Sequence, residues 1–402
     1  MPMPPLISFI IMLTLLFILI ILKVDITYGL TIATILFGLL VFTPQSFIIS
    51  LFNGIFNYTT LRLFLAFISA FYLSDLLRNL GVLNYISNEL SKISERLAAI
   101  IIPSIVGLIP MPGGAMVSAM MLKDLYFNKL KLKPHIATYI NYWFRHIWIS
   151  VWPLYQAVIL ASYILNISIW KLIYYIYPSA IIAIISGLIV VIKLLGKSNV
   201  THDLNNKIDF TMLFMGLWPF ILVIILVIGL KLDILLALLI TIIAVIIIYK
   251  PSRKHHLDSI KFAFSPKIIL VVLVTMVLKE FIVSSAASKQ LYELMTNVGL
   301  SQLFIAFLIP FIVALAMPGE YVVVAITFPL LLDILMPMGI IEFKTLLAAF
   351  FGGYMGIYFS PTHLCLILTR EYFQARLDLT YKYILSSIAI ATSLMAILLL
   401  VL

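Results

Sequence analysis

Two Pro/Gly breaks, each set inside an apolar run and lying 206 residues apart, constrain this chain more than any other feature. Met111-Pro112-Gly113-Gly114 in the first half is answered by Met317-Pro318-Gly319-Glu320 in the second. A second pair follows: Trp152-Pro153-Leu154-Tyr155 answers Ser360-Pro361-Thr362-His363. Pro44 answers Pro251 and Asp75 answers Glu280, so all offsets stay within 205 to 208. Neither break can sit in a continuous helix, because proline removes a backbone donor and glycine permits sharp turns. Broken backbone at membrane depth is tolerated only where protein buries it or it lines a wet cavity.

Composition fixes the environment. Charged residues are 10% and hydrophobic residues 64%, against about 25% charged in an ordinary soluble domain. Apolar runs of spanning length recur along the chain, and no alternating barrel strands are seen. The expected fold class is an all-α polytopic membrane protein. The net charge of +10 reads as basic loops at a membrane surface and not as a nucleic-acid footprint. The single cysteine, Cys365, excludes an intramolecular disulfide and a cysteine-rich metal centre. The N-terminal apolar run lacks a basic leader and a small-residue cleavage site, so it reads as the first span.

The apolar runs predict spans at about 6–22, 28–43, 61–78, 136–163 and 173–193, then 211–229, 234–249, 268–286, 343–370 and 381–402. Between the third and fourth spans of each half lies a broken segment, 99–122 and 301–336, expected to form a re-entrant helical hairpin. The fourth span of each half, 136–163 and 343–370, carries the second break. Five crossings per half force opposite orientations. The expectation is therefore two inverted repeats, 1–197 and 211–402, joined by a cytoplasmic linker 198–210. Segments 44–60 and 250–267 start at or beside a proline and read as interfacial helices. Charge supports this topology. Nineteen of the 26 Lys and Arg residues fall in loops assigned to the cytoplasm, and five, Arg62, Lys171, Lys231, Lys289 and Lys344, fall outside. The positive-inside rule then places both termini outside.

Candidate site residues follow from the breaks and from ionisable groups in apolar context. The half-helices starting near Gly114 and at Glu320 would aim free N–H groups at a cavity, which singles out Pro112, Gly113, Gly114, Pro318 and Gly319. A simple kink or packing notch is the alternative for either tip taken alone. Ser360, Pro361, Thr362 and His363 interrupt a span and would free carbonyls one turn earlier. A structural proline kink competes with that reading. Gly319, Glu320, Ser360 and Thr362 together are candidate Na⁺ ligands. Arg145 suits a carboxylate-bearing substrate or an acidic partner. Asp75, Glu280, Glu320 and His146 are candidates for ion or proton coupling, with an ordinary i,i+3 pair to Arg78 as the plainer reading of Asp75. For Glu320 the plainer reading is a charge stabilising a helix start. His146 and His363 are each candidate proton carriers or mere hydrogen-bonding groups. Gly196-Lys197-Ser198 fails as a P-loop, since Val191 stands where its first glycine is needed. No His-Glu-x-x-His or Gly-x-Ser-x-Gly occurs. No enzyme activity and no cofactor are expected. Asn57-Tyr-Thr and Asn166-Ile-Ser are sequons of the kind that arises by chance.

Two blocks carry a family resemblance. One is Leu108-Ile109-Pro110-Met111-Pro112-Gly113-Gly114-Ala115-Met116-Val117-Ser118-Ala119. The other is Ser360-Pro361-Thr362-His363-Leu364-Cys365-Leu366 with Glu371-Tyr372-Phe373. They resemble a prokaryotic membrane family, the domain-of-unknown-function 401 proteins, which looks like a member of the ion transporter superfamily. The resemblance implies a scaffold domain, a transport domain holding both hairpins and both broken helices, and a homodimer working by an elevator-like movement. The Ser-Asn-Thr hairpin signatures of the dicarboxylate branch are replaced here by Pro-Gly tips.

The expected function is secondary active transport of a small ion or organic anion across the cytoplasmic membrane of a prokaryote, coupled to Na⁺ or H⁺. Its expected partners are that substrate, the lipid bilayer and a second copy of the chain, and not nucleic acid. A sodium/proton antiporter using Asp75 or Glu280 is the alternative. An intramembrane enzyme would need paired catalytic groups, and a channel would need a continuous pore.

Overall fold

A computed structural model describes residues 2–90, 92, 94–111, 113–195 and 208–402. Among these residues there is no strand, and the chain is built from α-helices joined by short connections. The first ten are α1 (Pro5–Ile21), α2 (Ile26–Val41), α3 (Pro44–Ile55), α4 (Tyr58–Asn79), α5 (Val82–Leu90), α6 (Glu95–Val106), α7 (Gly114–Asp124), α8 (Pro134–Arg145), α9 (Gln156–Ile164) and α10 (Ile169–Leu195). Then follow α11 (Phe210–Ile224), α12 (Ile234–Tyr249), α13 (Arg253–Ala263), α14 (Pro266–Ser284), α15 (Ala287–Val298), α16 (Gln302–Ala316) and α17 (Glu320–Leu330). The last four are the short α18 (Leu332–Leu335), α19 (Phe343–Phe359), α20 (Leu364–Phe373) and α21 (Leu377–Val401). Apart from α18, the order of elements in the first half recurs in the second. The linker 198–210 lies, but for its last three residues, outside the described residues.

Helix ends follow local chemistry. Thr43 caps α3 and Ser252 caps α13 through side-chain oxygens, each preceding a basic or proline-led start that would leave amides unpaired without a cap. Asp25 and Asp233 do the same for α2 and α12. Among the described residues, four helices are long and apolar enough to cross a membrane: α4, α10, α21, and α11 with the turn of π-helix that follows it. The run Arg253–Ser284 with α15, bent by 57°, makes a fifth if the bent pair is counted as one span. The remaining apolar helices, α1, α2, α12, α16 and α17, have 10–17 residues, because capping Asp and Pro/Gly residues cut the apolar runs into shorter pieces.

Elements of the two halves pack against each other along the whole molecule. From the second half, α14 lies on α2, α3 and α4, and α13 on α4. From the first, α9 lies on α17, and α8 on α20 and α21. The site is formed where α8 and α9 meet α19 and α20.

Candidate functional site

Two interrupted helices cross at the centre. The first runs as α8, breaks over 146–155 and resumes as α9; the second runs as α19, breaks at 360–363 and resumes as α20. A helix end leaves its last carbonyls without amide partners. Here the end carbonyls Trp143 O, His146 O and Ile357 O accept from the amides three residues on, and tyrosines of the opposite helix add a second donor to each. Tyr358 Oη donates to Trp143 O (2.7 Å), Tyr354 Oη to His146 O (2.8 Å), and Tyr142 Oη to Ile357 O (3.0 Å). Trp143 stacks on Tyr358 at 4.0 Å between ring centroids, with 15° between planes. Pro361 accounts for the second break, since the preceding Ser360 is held extended (φ −68°, ψ 122°) as a pre-proline residue prefers. The first break opens at His146, six residues before the Trp152-Pro153 expected to cause it. At its start Tyr354 engages His146 O, and the chain continues in three-residue turns such as Ile149 N–H to His146 O (3.2 Å).

The breaks are tied to the segments at the Pro/Gly turns by corresponding side chains of the two halves. Trp152 Nε1 donates to Leu108 O and Ser360 Oγ to Leu315 O, both at 2.8 Å. Tyr155 Oη donates to Gly107 O (2.8 Å), and His363 Nδ1 bonds Pro318 O (2.9 Å). Beyond the turns, α7 begins at Gly114 after Gly113 in the left-handed region (φ 69°), which glycine adopts without steric cost. The other begins at Glu320. Neither α7 nor α17 has a side-chain N-cap, so both present first-turn amides.

These parts enclose a cavity of about 420 Å³. Its lining includes Met111 and Gly113 from one turn, Gly319 and Glu320 from the other, and Arg145, His146, Tyr155, His363 and Cys365 from the breaks. One wall is apolar, with Phe67, Phe71 and Phe262. Arg145 is 3% exposed. Its Nη2 donates to Met111 O (3.3 Å), while its Nε has no hydrogen-bond partner. Among the described residues, no carboxylate oxygen lies within 4.0 Å of its guanidinium nitrogens. A buried charge with no ion-pair partner in contact is costly, and Arg145 lines an open volume that it shares with Glu320. Asp25 and Lys267, paired at 2.6 Å and partly exposed, also line the cavity. Burial works against ionisation of Asp25, but the bonds from Lys267 and Thr27 N–H outweigh it and hold the carboxyl below its usual value.

Of the expected site residues, Gly113, Arg145, His146, Gly319, Glu320 and His363 are gathered at this cavity. Gly114 stands beside them: a Cβ there would overlap Arg145 Nη2. Pro318 contributes its carbonyl to His363. Pro112 lies outside the described residues. Ser360 and Thr362 bond each other (3.0 Å) but do not line the cavity, and Pro361 and Thr362 are exposed. The four residues expected to share a Na⁺ are therefore divided, with only Gly319 and Glu320 on the lining. Asp75 is away from the cavity. It pairs with Arg78 and accepts from Asn79 (2.8 Å) and Ser259 (2.9 Å). Glu280 accepts from Ser284 (2.9 Å), also elsewhere. Cys365 and the Asp25–Lys267 pair are cavity residues that sequence reasoning did not select, and Tyr155, part of the expected 152–155 break, was not singled out as a ligand. Cys365 had one signal, its place two residues after His363.

Fold and site together define a helical protein with several helices long enough to span a membrane and a largely apolar cavity at which ionisable residues of two interrupted helices meet. Residues 6–402 match the profile of the family described as "Protein of unknown function (DUF401)", and the chain belongs to that family. No curated protein matches it.

Proposed function

We propose that this protein is a secondary active transporter that moves a small anion across the cytoplasmic membrane of a prokaryote, coupled to Na⁺ or H⁺. The observation that carries the reading is Arg145: a buried guanidinium with an unpartnered Nε on the wall of a cavity that two broken helices and two helix N-termini surround. Arginine offers a planar fork suited to carboxylates and oxyanions, and helix N-termini favour the same charge. The recurrence of the element order supports two inverted repeats, 1–197 and 211–402, each of five spans and one re-entrant hairpin, as in transporters of the ion transporter superfamily. On the topology read from charge, Asp25 and Lys267 are cytoplasmic, so the cavity belongs to an inward-facing state. Alternating access then requires a movement of the crossed helices relative to α2 and α14, elevator-like and within a homodimer. Asp75 and Glu280 have partners of their own away from the cavity, so the proposal does not use them as carriers.

The test is anion accumulation in proteoliposomes under imposed Na⁺ or H⁺ gradients, over a panel of carboxylates and inorganic oxyanions. Arg145→Lys keeps the charge and removes the fork. It is expected to melt like the wild type and to lose about 10-fold or more in uptake, the value of one charged hydrogen bond. No gradient-driven uptake of any anion by the wild type, or full uptake by a folded Arg145→Lys, would overturn it.

A further inference from the structure

Three buried side chains at the cavity form a group that anion transport does not require. His146 Nε2 lies 3.1 Å from His363 Nε2. With the Cys365 Sγ, the ligand atoms of the three residues all lie within 4.8 Å of one another. Each imidazole is held from behind. His146 Nδ1 bonds Tyr142 O (2.6 Å) and His363 Nδ1 bonds Pro318 O (2.9 Å). A carbonyl can only accept, so each ring carries its proton on Nδ1. With both rings neutral, two Nε2 lone pairs then face each other at hydrogen-bond distance. Two facing lone pairs repel. The repulsion is relieved when a cation sits between them, either a shared proton or a metal ion.

We propose that His146, His363 and Cys365 form a binding site for one soft or borderline d-block cation of the Zn²⁺ type. Nitrogen and thiolate are the donors that such ions select. Two nitrogens on a tetrahedral Zn²⁺, each bound at about 2.0–2.1 Å, stand about 3.3 Å apart, close to the spacing already present here. The carbonyl bonds on both Nδ1 atoms are the outer-shell arrangement that orients metal-binding histidines and fixes their tautomer. Three protein ligands leave a fourth position, and all three residues line the cavity, so that position opens into it. Binding releases the Cys365 proton, which leaves the ion and its ligands with one net positive charge. Glu320, on the same lining, offsets the like charge of Arg145. The ligands come from both broken helices, so a bound ion fastens the two halves at their crossing. The inference concerns binding alone and stands or falls without the transport reading.

The test uses the full chain, free of any affinity tag, purified in detergent and stripped with a chelator. Co²⁺ is titrated first and then displaced by Zn²⁺. The expected result is one Co²⁺ per chain, with a thiolate-to-cobalt charge-transfer band in the near ultraviolet that Zn²⁺ abolishes. Cys365→Ser, close in size, is expected to lose that band and to weaken Zn²⁺ binding by about 10-fold or more, with an unchanged elution profile. His363→Gln is expected to weaken it likewise. Absence of the band in the wild type, which is what a proton shared by the histidines would give, overturns the proposal. So does Cys365→Ser binding with wild-type affinity, which would mark adventitious binding elsewhere. Failure of anion uptake bears on the transport reading only.

Discussion

Gly114→Ala separates the position of Arg145 from the integrity of the fold. Gly114 is the first residue of α7 and its backbone lies outside the left-handed region, so alanine is conformationally acceptable there. The added Cβ would overlap Arg145 Nη2 and stand 2.9 Å from both Cζ and Nε. All three are at the far end of a flexible side chain, which can swing away. The stability effect is therefore small. Alanine gains up to about 0.8 kcal/mol of helix propensity, and losing the long Arg145 to Met111 O bond (3.3 Å) costs about 1.5 kcal/mol, the low end for a charged donor. The binding effect is large, because a displaced guanidinium forfeits a charged hydrogen bond worth about 1.5–3 kcal/mol, or about 10- to 150-fold in affinity. Thermal melting with and without the best anion of the uptake panel reads both. At a ligand concentration about 100-fold above the wild-type Kd, binding stabilises the wild type by about 2.7 kcal/mol. A variant weakened about 100-fold keeps only about 0.4 kcal/mol of that. An apo melting point near wild type with the ligand shift nearly gone is the expected result. A full ligand shift in Gly114→Ala would show that Arg145 does not hold the anion.

Gly107→Ala is the steric counterpart with the opposite outcome. Its Cβ would overlap the backbone oxygen of Arg145 and lie 2.9 Å from that of Ser104, and neither can swing aside. A loss of about 1–3 kcal/mol is expected from overpacking, read as a lower melting point without ligand; an unchanged one would refute the close approach of α6 and α8. Asp75→Asn is expected to lower stability by about 1–3 kcal/mol, since it breaks a buried hydrogen-bonded pair, while uptake per folded molecule stays at the wild-type level. Loss of flux with an unchanged melting point would return Asp75 to a coupling role.

The parts of the site that sequence showed are those written in proline and glycine. Gly113 and Gly114 mark the start of α7, Gly319 and Glu320 that of α17, and Pro361 the second break, because these residues act on their own backbone. The i,i+3 spacing of Asp75 and Arg78 gave their pairing for the same reason. The first break was read from Trp152-Pro153, which lie within it, but its start at His146 escaped, since no proline or glycine stands there. The residue that engages His146 O is Tyr354, 208 residues later. The grouping of His146 with His363 and Cys365 escaped as well. One histidine lies 217 residues from the other, and only the crossing of two helices unites them. Asp25 and Lys267 looked like ordinary loop charges, and only the fold sets them at the cavity.

The exchange of tyrosines across the crossing has a consequence for synthesis. Trp143 O and His146 O find their hydroxyl partners in Tyr358 and Tyr354, 215 and 208 residues further along the chain. Until those tyrosines are made, the end of α8 is held only by its own turns, His146 N–H to Trp143 O and Ile149 N–H to His146 O. An N-terminal half released alone would keep these turns and lack the second donors, so the path between α8 and α9 is expected to be set less firmly in it than in the whole chain.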